Sequence, residues 1–251
     1  MPLDALFLSA LKNELTVQIH DAKITKVQQP ERDMIILTLK GISAQPHRLL
    51  ISVGSGDARV HLTAHKFDNQ KEPPMFCMLL RKHIVGAKIT SIVQPQSERV
   101  LIFVLEAMSA IGVKSEKKLI TEFIGRQLNI ILCDNNDIII DCLRRTYGEL
   151  DNQRTVLPGL IYREPTRQVT RQDPLNISGM QLEKLIQSDG NGSIEKWLNT
   201  AFSAFSPLIC REITYRAYGN TGLRFDEITD DAAAVQREFF VLTDRVNRSH
   251  Y

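Results

Sequence analysis

The sequence predicts an α+β chain: a pseudo-duplicated β-sandwich with flanking helices over residues 1–172, then a small all-α domain over residues 173–251. Three observations carry this. A segment near the start recurs further on at a fixed offset. Runs rich in β-branched residues are bounded by turn clusters. After Ser178 the apolar positions change to a spacing of three and four, which is helical.

The repeat is the organising feature. Ala22-Lys23-Ile24-Thr25-Lys26-Val27-Gln28-Gln29-Pro30 matches Ala87-Lys88-Ile89-Thr90-Ser91-Ile92-Val93-Gln94-Pro95 at an offset of 65 positions. Carried forward without a gap, the same offset sets Asp33-Met34-Ile35-Ile36-Leu37 on Glu98-Arg99-Val100-Leu101-Ile102. Each copy follows a helix. Residues 3–16 supply the first, with Asp4 as its N-cap candidate. The run from Pro73 to His83 supplies the second. Pro74 suits a first helical turn, Phe76, Leu80 and Ile84 share one face, and Gly86 is the expected stop. Two copies are too few and too long for a solenoid, so two pseudo-symmetric halves packed on each other are expected.

In chain order, strands are expected at residues 22–29, 33–40, 48–53 and 58–62, then at 87–94, 98–106, 117–123, 128–133 and 137–142. Asp134-Asn135-Asn136-Asp137 reads as a tight turn between the last two. Its ligand order does not fit a calcium loop. Residues 143–176 lack periodicity. They carry three prolines and arginines at 144, 145, 154, 163, 167 and 171, and read as an irregular linker. Ser178 with Gln181 fits a capping box. Ile194, Trp197, Leu198, Ala201, Phe202 and Phe205 form one strong apolar stripe. Ser206-Pro207 restarts a helix that Gly219 stops, and Val235, Phe239, Leu242 and Val246 mark a last helix.

Composition narrows the function classes. With 43% hydrophobic and 24% charged residues the chain is an ordinary globular one, and no apolar run approaches a membrane span. Met1-Pro2-Leu3-Asp4 lacks the basic segment of a signal peptide, so a cytoplasmic address is expected. Cys77, Cys133, Cys142 and Cys210 are scattered in apolar runs and read as buried thiols. A net charge of +2 leaves any nucleic-acid surface to local clustering. His61 and His65 have no neighbouring Cys or carboxylate to complete a metal site. No catalytic or phosphate-loop signature is present, so the chain is read as a non-enzyme without a cofactor.

Three places invite a binding role. Where the copies differ, Glu98-Arg99 could present a guanidinium fork to phosphate or a base edge; the plain alternative is a surface ion pair worth less than about 1 kcal/mol. In Glu122-Phe123-Ile124-Gly125-Arg126, Gly125 suggests a bend from which Arg126 projects, against simple hairpin geometry. The turn before Pro207 exposes a helix N-terminus able to hold a phosphate, or is only a packing corner.

Taken together, Leu3 to Phe7, His61-Leu62-Thr63, the run Pro73 to His83, Glu122 to Arg126, and Arg154-Thr155-Val156-Leu157-Pro158-Gly159 resemble the bacterial NFACT family, long named fibronectin- or fibrinogen-binding protein A. The resemblance spans the whole chain, covering that family's N-terminal domain and its helix-hairpin-helix domain, but not its coiled coil. It implies ribosome-associated quality control in the cytoplasm: binding of alanyl-tRNA and of large ribosomal subunits obstructed by peptidyl-tRNA, in support of alanine tailing. It also implies tRNA-binding roles for Glu98, Arg99, Glu122, Phe123, Ile124, Gly125, Arg126 and Asp4. The family usually has Asp where Glu98 stands, and Phe123 and Ile124 are apolar departures from its motif. The implied fold is similar to the N-terminal domain of formamidopyrimidine-DNA glycosylase. Those enzymes use a terminal Pro followed by Glu, whereas Pro2 here precedes Leu3. A DNA lyase and a fibronectin- or fibrinogen-binding adhesin are the alternatives.

Overall fold

The computed structural model describes residues 3–41, 47–68, 70–95, 98–108, 112–125, 127–148, 154–165, 171–229 and 232–248. The chain forms two compact units. The first holds the described residues of 11–95 and 99–165, with Leu3; the second holds 4–10, Glu98 and 171–248.

The first unit is built on one antiparallel sheet. Its strands are β1 (Lys23–Glu31), β2 (Met34–Lys40), β3 (His47–Ser52), β4 (Arg59–Thr63), β5 (Lys88–Val93), β6 (Val100–Met108), β7 (Lys114–Ile124), β8 (Gln127–Asp134) and β9 (Ile139–Cys142). They lie in the order β4-β3-β2-β1-β5-β6-β7-β8-β9. All nine expected strands are present. The two expected halves are joined into this single sheet through β1 and β5. Helix α1 (Ala5–Ile19) precedes the first copy and α2 (Met75–Ile84) the second.

The duplication is exact in the backbone pairing at the seam. Lys23 stands opposite Lys88, its own counterpart. Ile24 N donates to Ala87 O at 2.8 Å, and Ile89 N donates to Ala22 O at 3.0 Å. Asp21 N donates to Ile89 O, and Gly86 N to Ile24 O, both at 2.8 Å. Each bond maps onto its partner under the 65-residue shift, as a local twofold axis requires. The helices end alike too: Ile19 and Ile84 are the last residues, and the left-handed position two further on is Asp21 in one copy (φ 59°) and Gly86 in the other (φ 91°). A bulge follows at Thr25 and again at Thr90. Their hydroxyls donate to Thr38 O and Val104 O.

That last pair corrects the gapless alignment. From the second strand onward the copies are shifted by 66 residues, so Met34 matches Val100 and Asp33 matches Arg99. The ladder agrees: Val53 N donates to Asp33 O, and Phe123 N donates to Arg99 O, both at 2.8 Å. Strand β6 therefore starts at Val100, two residues later than expected. The face carrying Leu37, Leu39, Leu49, Ile51, Leu101, Phe103, Leu105, Leu119, Ile130 and Leu132 is buried throughout. On the opposite face, Val156 and Tyr162 cover Val100, Ile120 and Ile131. The turn at 134–137 forms as expected, with Asp134 Oδ1 accepting from Asn136 N and Ile138 N. His61 lies on β4 opposite Leu50, and His65 packs edge-on against Phe67.

The second unit is helical: α3 (Gly179–Asp189), α4 (Ile194–Ala201), α5 (Pro207–Tyr218), a 3-10 turn at Phe225–Glu227, and α6 (Ala233–Asn247). Ser178 and Gln181 make the capping box, Ser206 caps α5 ahead of Pro207, and Gly219 closes it at φ 70°. The stripe from Ile194 to Phe205 is not one helix. Helix α4 ends at Ala201, whose carbonyl accepts from Gln172 N at 2.7 Å, and Phe202 is extended. Phe202, Phe205 and Phe239 form the centre of the core, with ring centroids 4.9–5.4 Å apart. All four cysteines are buried and unpaired, and burial pushes Cys133 and Cys210 up to about 12 and Cys142 to about 11.

The unlike caps make a test. A Cβ at Gly86 meets only Lys23 Cε at 3.9 Å, so Gly86→Ala costs the left-handed strain alone, about 1–2 kcal/mol. Asp21→Gly relieves the same strain in the other copy. Thermal unfolding should show a lowered midpoint for the first and an unchanged or raised one for the second. Equal shifts would contradict equivalence of the two positions.

Candidate functional site

The two sequence motifs meet at one end of the second copy. Val100 stands opposite Glu122, so the backbone of Arg99 runs beside Phe123. Strand β7 ends at Ile124, just before Gly125, and Ile124 stands opposite Gln127, the first residue of β8. Gly125 is exposed at φ 50°, and a Cβ there would meet nothing within 4 Å, so only the backbone angle selects glycine. Arg126 lies outside the described residues, as does Pro2.

Arg99 is half-buried, and among the described residues no hydrogen bond or ion pair engages its guanidinium. Its equivalent in the first copy behaves in the opposite way. Asp33 is held at 2.9 Å by Arg144, which also donates to Val53 O at 2.8 Å and Leu128 O at 3.1 Å. One copy thus closes this corner with an ion pair, and the other leaves a cation at it. Glu98 is half-buried and has a partner of its own.

The Glu122 motif divides into an interior part and an exposed tip. Glu122 is 1% exposed. Its Oε2 accepts from Arg154 Nη1 at 3.0 Å, Arg154 Nη2 lies 2.7 Å from Oε1, and Tyr162 donates its hydroxyl to Oε1 at 2.8 Å. The Arg154 guanidinium also sits 4.7 Å from the centre of the Tyr162 ring, a cation–π contact in a dry setting. Its Nε and Nη2 have no well-aligned acceptor among the described residues, so the charge pair and the ring supply the compensation. Burial, then the Glu122 charge, holds the Tyr162 hydroxyl far above its ordinary value. Phe123 is buried, and Ile124 is half-buried. The side chains of Glu122 and Phe123 are therefore fixed inside the unit. Among the described residues of the motif, Gly125 is the exposed one.

Asp4 lies in the second unit and is fully engaged. Its Oδ1 accepts from Phe7 N at 2.8 Å, which caps α1 as expected, and its Oδ2 accepts from the Ser206 hydroxyl at 3.0 Å. Ser206 in turn accepts from Ile209 N, so one hydroxyl links two helix starts. A cleft of about 640 Å³ in the same unit is lined by Asp189, Ser193, Lys196, Trp197, Thr200 and Arg224 among others, and Arg224 is already tied to Asp226 at 2.9 Å.

Sequence reasoning missed Arg144, Arg154 and Tyr162, all placed in the supposed linker. The motif Arg154 to Gly159 was the available signal, since a charged residue opening an otherwise apolar, Pro-Gly-terminated run invites an internal partner. Tyr162 gave no local cue.

The family described as NFACT N-terminal and middle domains matches residues 4–250. The Rqc2 homolog RqcH of Bacillus subtilis (strain 168) is 37% identical over 218 residues, covering 86% of this chain and 38% of that protein. The Rqc2 homolog RqcH of Streptococcus suis is 33% identical over 189 residues, covering 75% and 34%. The chain thus spans little more than a third of these relatives. Among solved structures, the N-terminal part of the fibronectin/fibrinogen-binding protein of Streptococcus suis superposes with a TM-score of 0.84 at 28% identity, over 96% of this chain and 84% of that one. The fibrinogen binding protein of Staphylococcus aureus gives 0.81 at 28%, over 98% and 83%.

The buried pair has a measurable signature. Arg154→Met leaves the Glu122 carboxylate buried without its counter-charge, held by the Tyr162 hydroxyl alone, and should cost about 3–5 kcal/mol in urea unfolding. Adding Glu122→Gln should restore much of that. A loss below about 1 kcal/mol for the single variant, within the range of exposed pairs, would contradict the assignment.

Proposed function

The chain belongs to the NFACT family, and from that premise we propose that it is the tRNA-engaging part of a ribosome-associated quality control factor. In this reading the whole protein binds large ribosomal subunits obstructed by peptidyl-tRNA, recruits alanyl-tRNA and supports alanine tailing of the stalled chain. It works by binding and positioning and is not an enzyme. The observation that carries the reading is the unengaged Arg99 guanidinium at a corner that the first copy closes with the Asp33–Arg144 pair. A guanidinium is always charged and offers a planar donor fork, which suits phosphate and base edges.

The remaining residues take graded roles. Arg99, Glu98 and Gly125 face the RNA with Ile124 beside them, and Arg126, outside the described residues, is assigned to the same contact. Glu122 and Phe123 act from inside, fixing the β7–β8 hairpin through Arg154 and Tyr162. Asp4 acts by holding the starts of α1 and α5 together. We further read residues 1–172 as the tRNA-facing domain, similar to the N-terminal domain of formamidopyrimidine-DNA glycosylase, and 173–251 as a helix-hairpin-helix domain. Its α4–α5 corner would meet an RNA backbone through the N-terminus of α5. Binding of fibronectin or fibrinogen is the second reading, supported by the names of the structural neighbours.

The test is Arg99→Ala in the full-length protein. Tailing of stalled chains should be lost while the melting temperature stays within about 1 °C, because a half-buried side chain that no other described residue engages contributes little to stability. Unchanged tailing would overturn the assignment.

A further inference from the structure

On the face of the sheet opposite the main core, four exposed lysines gather near the twofold seam. Lys23 stands opposite Lys40 on β2 and opposite Lys88 on β5, so three ammonium groups share one row across adjacent strands. The bulge at Thr25 returns Lys26 to the same face, opposite Thr38, whose other neighbour is Arg48. All four lysines are exposed. Among the described residues no carboxylate pairs with any of them. Glu106, across from Lys88, is occupied by Lys114 at 3.1 Å. Arg48 donates to Ala64 O and adds its charge at the edge.

Like charges directly opposite one another destabilise a sheet. The row is therefore unfavourable for folding, and an anionic partner would offset it. Strands lie about 4.8 Å apart, so the row spans three strands as a short line of charge suited to successive phosphates. The scaffold's symmetry does not account for it either: Lys40 and Lys26 have Glu106 and Ser91 as counterparts, so the basic face comes mainly from the first copy.

We propose that Lys23, Lys26, Lys40 and Lys88 form a second RNA-backbone contact, separate from the Arg99 corner. RNA is favoured over an anionic membrane because this inference rests on the quality-control reading. The contact is sequence-independent: lysines act on phosphates as point charges and supply affinity rather than choice of tRNA.

The experiment compares the 251-residue chain with its Lys23→Gln/Lys26→Gln/Lys40→Gln/Lys88→Gln variant. Anisotropy of a fluorescent tRNA transcript is followed between about 50 and 200 mM salt, with phosphatidylserine vesicles as a second probe. The variant should bind about tenfold or more weakly, with the slope of log affinity against log salt reduced by about three. Its melting temperature should be equal or higher, an outcome a structural role would not give. Should the quadruple variant fail to fold, Lys23→Gln and Lys40→Gln singly should each lower the slope by about one. An unchanged slope with intact parental binding overturns the lysine contact and leaves the quality-control reading standing. A parent that does not bind tRNA overturns both, and lysine-dependent vesicle binding would then assign the face to lipid.

Discussion

The first unit depends on a short seam. Between β1 and β5 one residue pair is in register, and four backbone hydrogen bonds in two symmetric couples close it. At about 1 kcal/mol each these bonds are modest individually. Their importance is geometric. They join a first copy of four strands (β1–β4) to a second of five (β5–β9) in a single nine-strand order, and fix the twofold relation that makes position 33 comparable with position 99. Both helices must end where they do for this to work, because Asp21 N and Gly86 N, the donors of the outer couple, lie just past the last helical residues.

On that symmetric frame, function reads as departure from symmetry. The left-handed cap is Asp in one copy and Gly in the other. The corner ahead of the second strand is an ion-paired Asp33 in one and, in the other, an Arg99 whose guanidinium no other described residue engages. Ser52 of the first copy corresponds in the ladder to Glu122 of the second, since each faces the strand's first residue, Met34 or Val100. A buried carboxylate there needs a buried cation, and the segment after β9 supplies it as Arg154. The supposed linker is thus the part of the chain that stabilises both corners, through Arg144 for the first and through Arg154 and Tyr162 for the second.

What could be read from sequence was local. Gly86, Ser178 with Gln181, Ser206 with Pro207, and the Asx turn at 134–137 each announce a backbone event through their own chemistry, and each was found where expected. What could not be read was a slip of one residue between two strands. Met34 to Leu37 and Val100 to Phe103 are apolar on both faces, so no alternation distinguishes an offset of 65 from 66. Nor could partners across 111 positions, such as Asp33 and Arg144, be inferred from periodicity. Phe202 and Phe205 carried a helical spacing but were placed by the core they fill, after Gln172 took the carbonyl of Ala201.

In the proposed function, a doubled sheet has become asymmetric so that one copy grips RNA at Arg99. Site-specific photocrosslinking tests this most directly, with the photoreactive residue placed at position 99 in one sample and at its twofold equivalent, position 33, in the other. Crosslinks to tRNA from position 99 and none from position 33 are the expected result. Equal capture from both, or capture from position 33 alone, would contradict it.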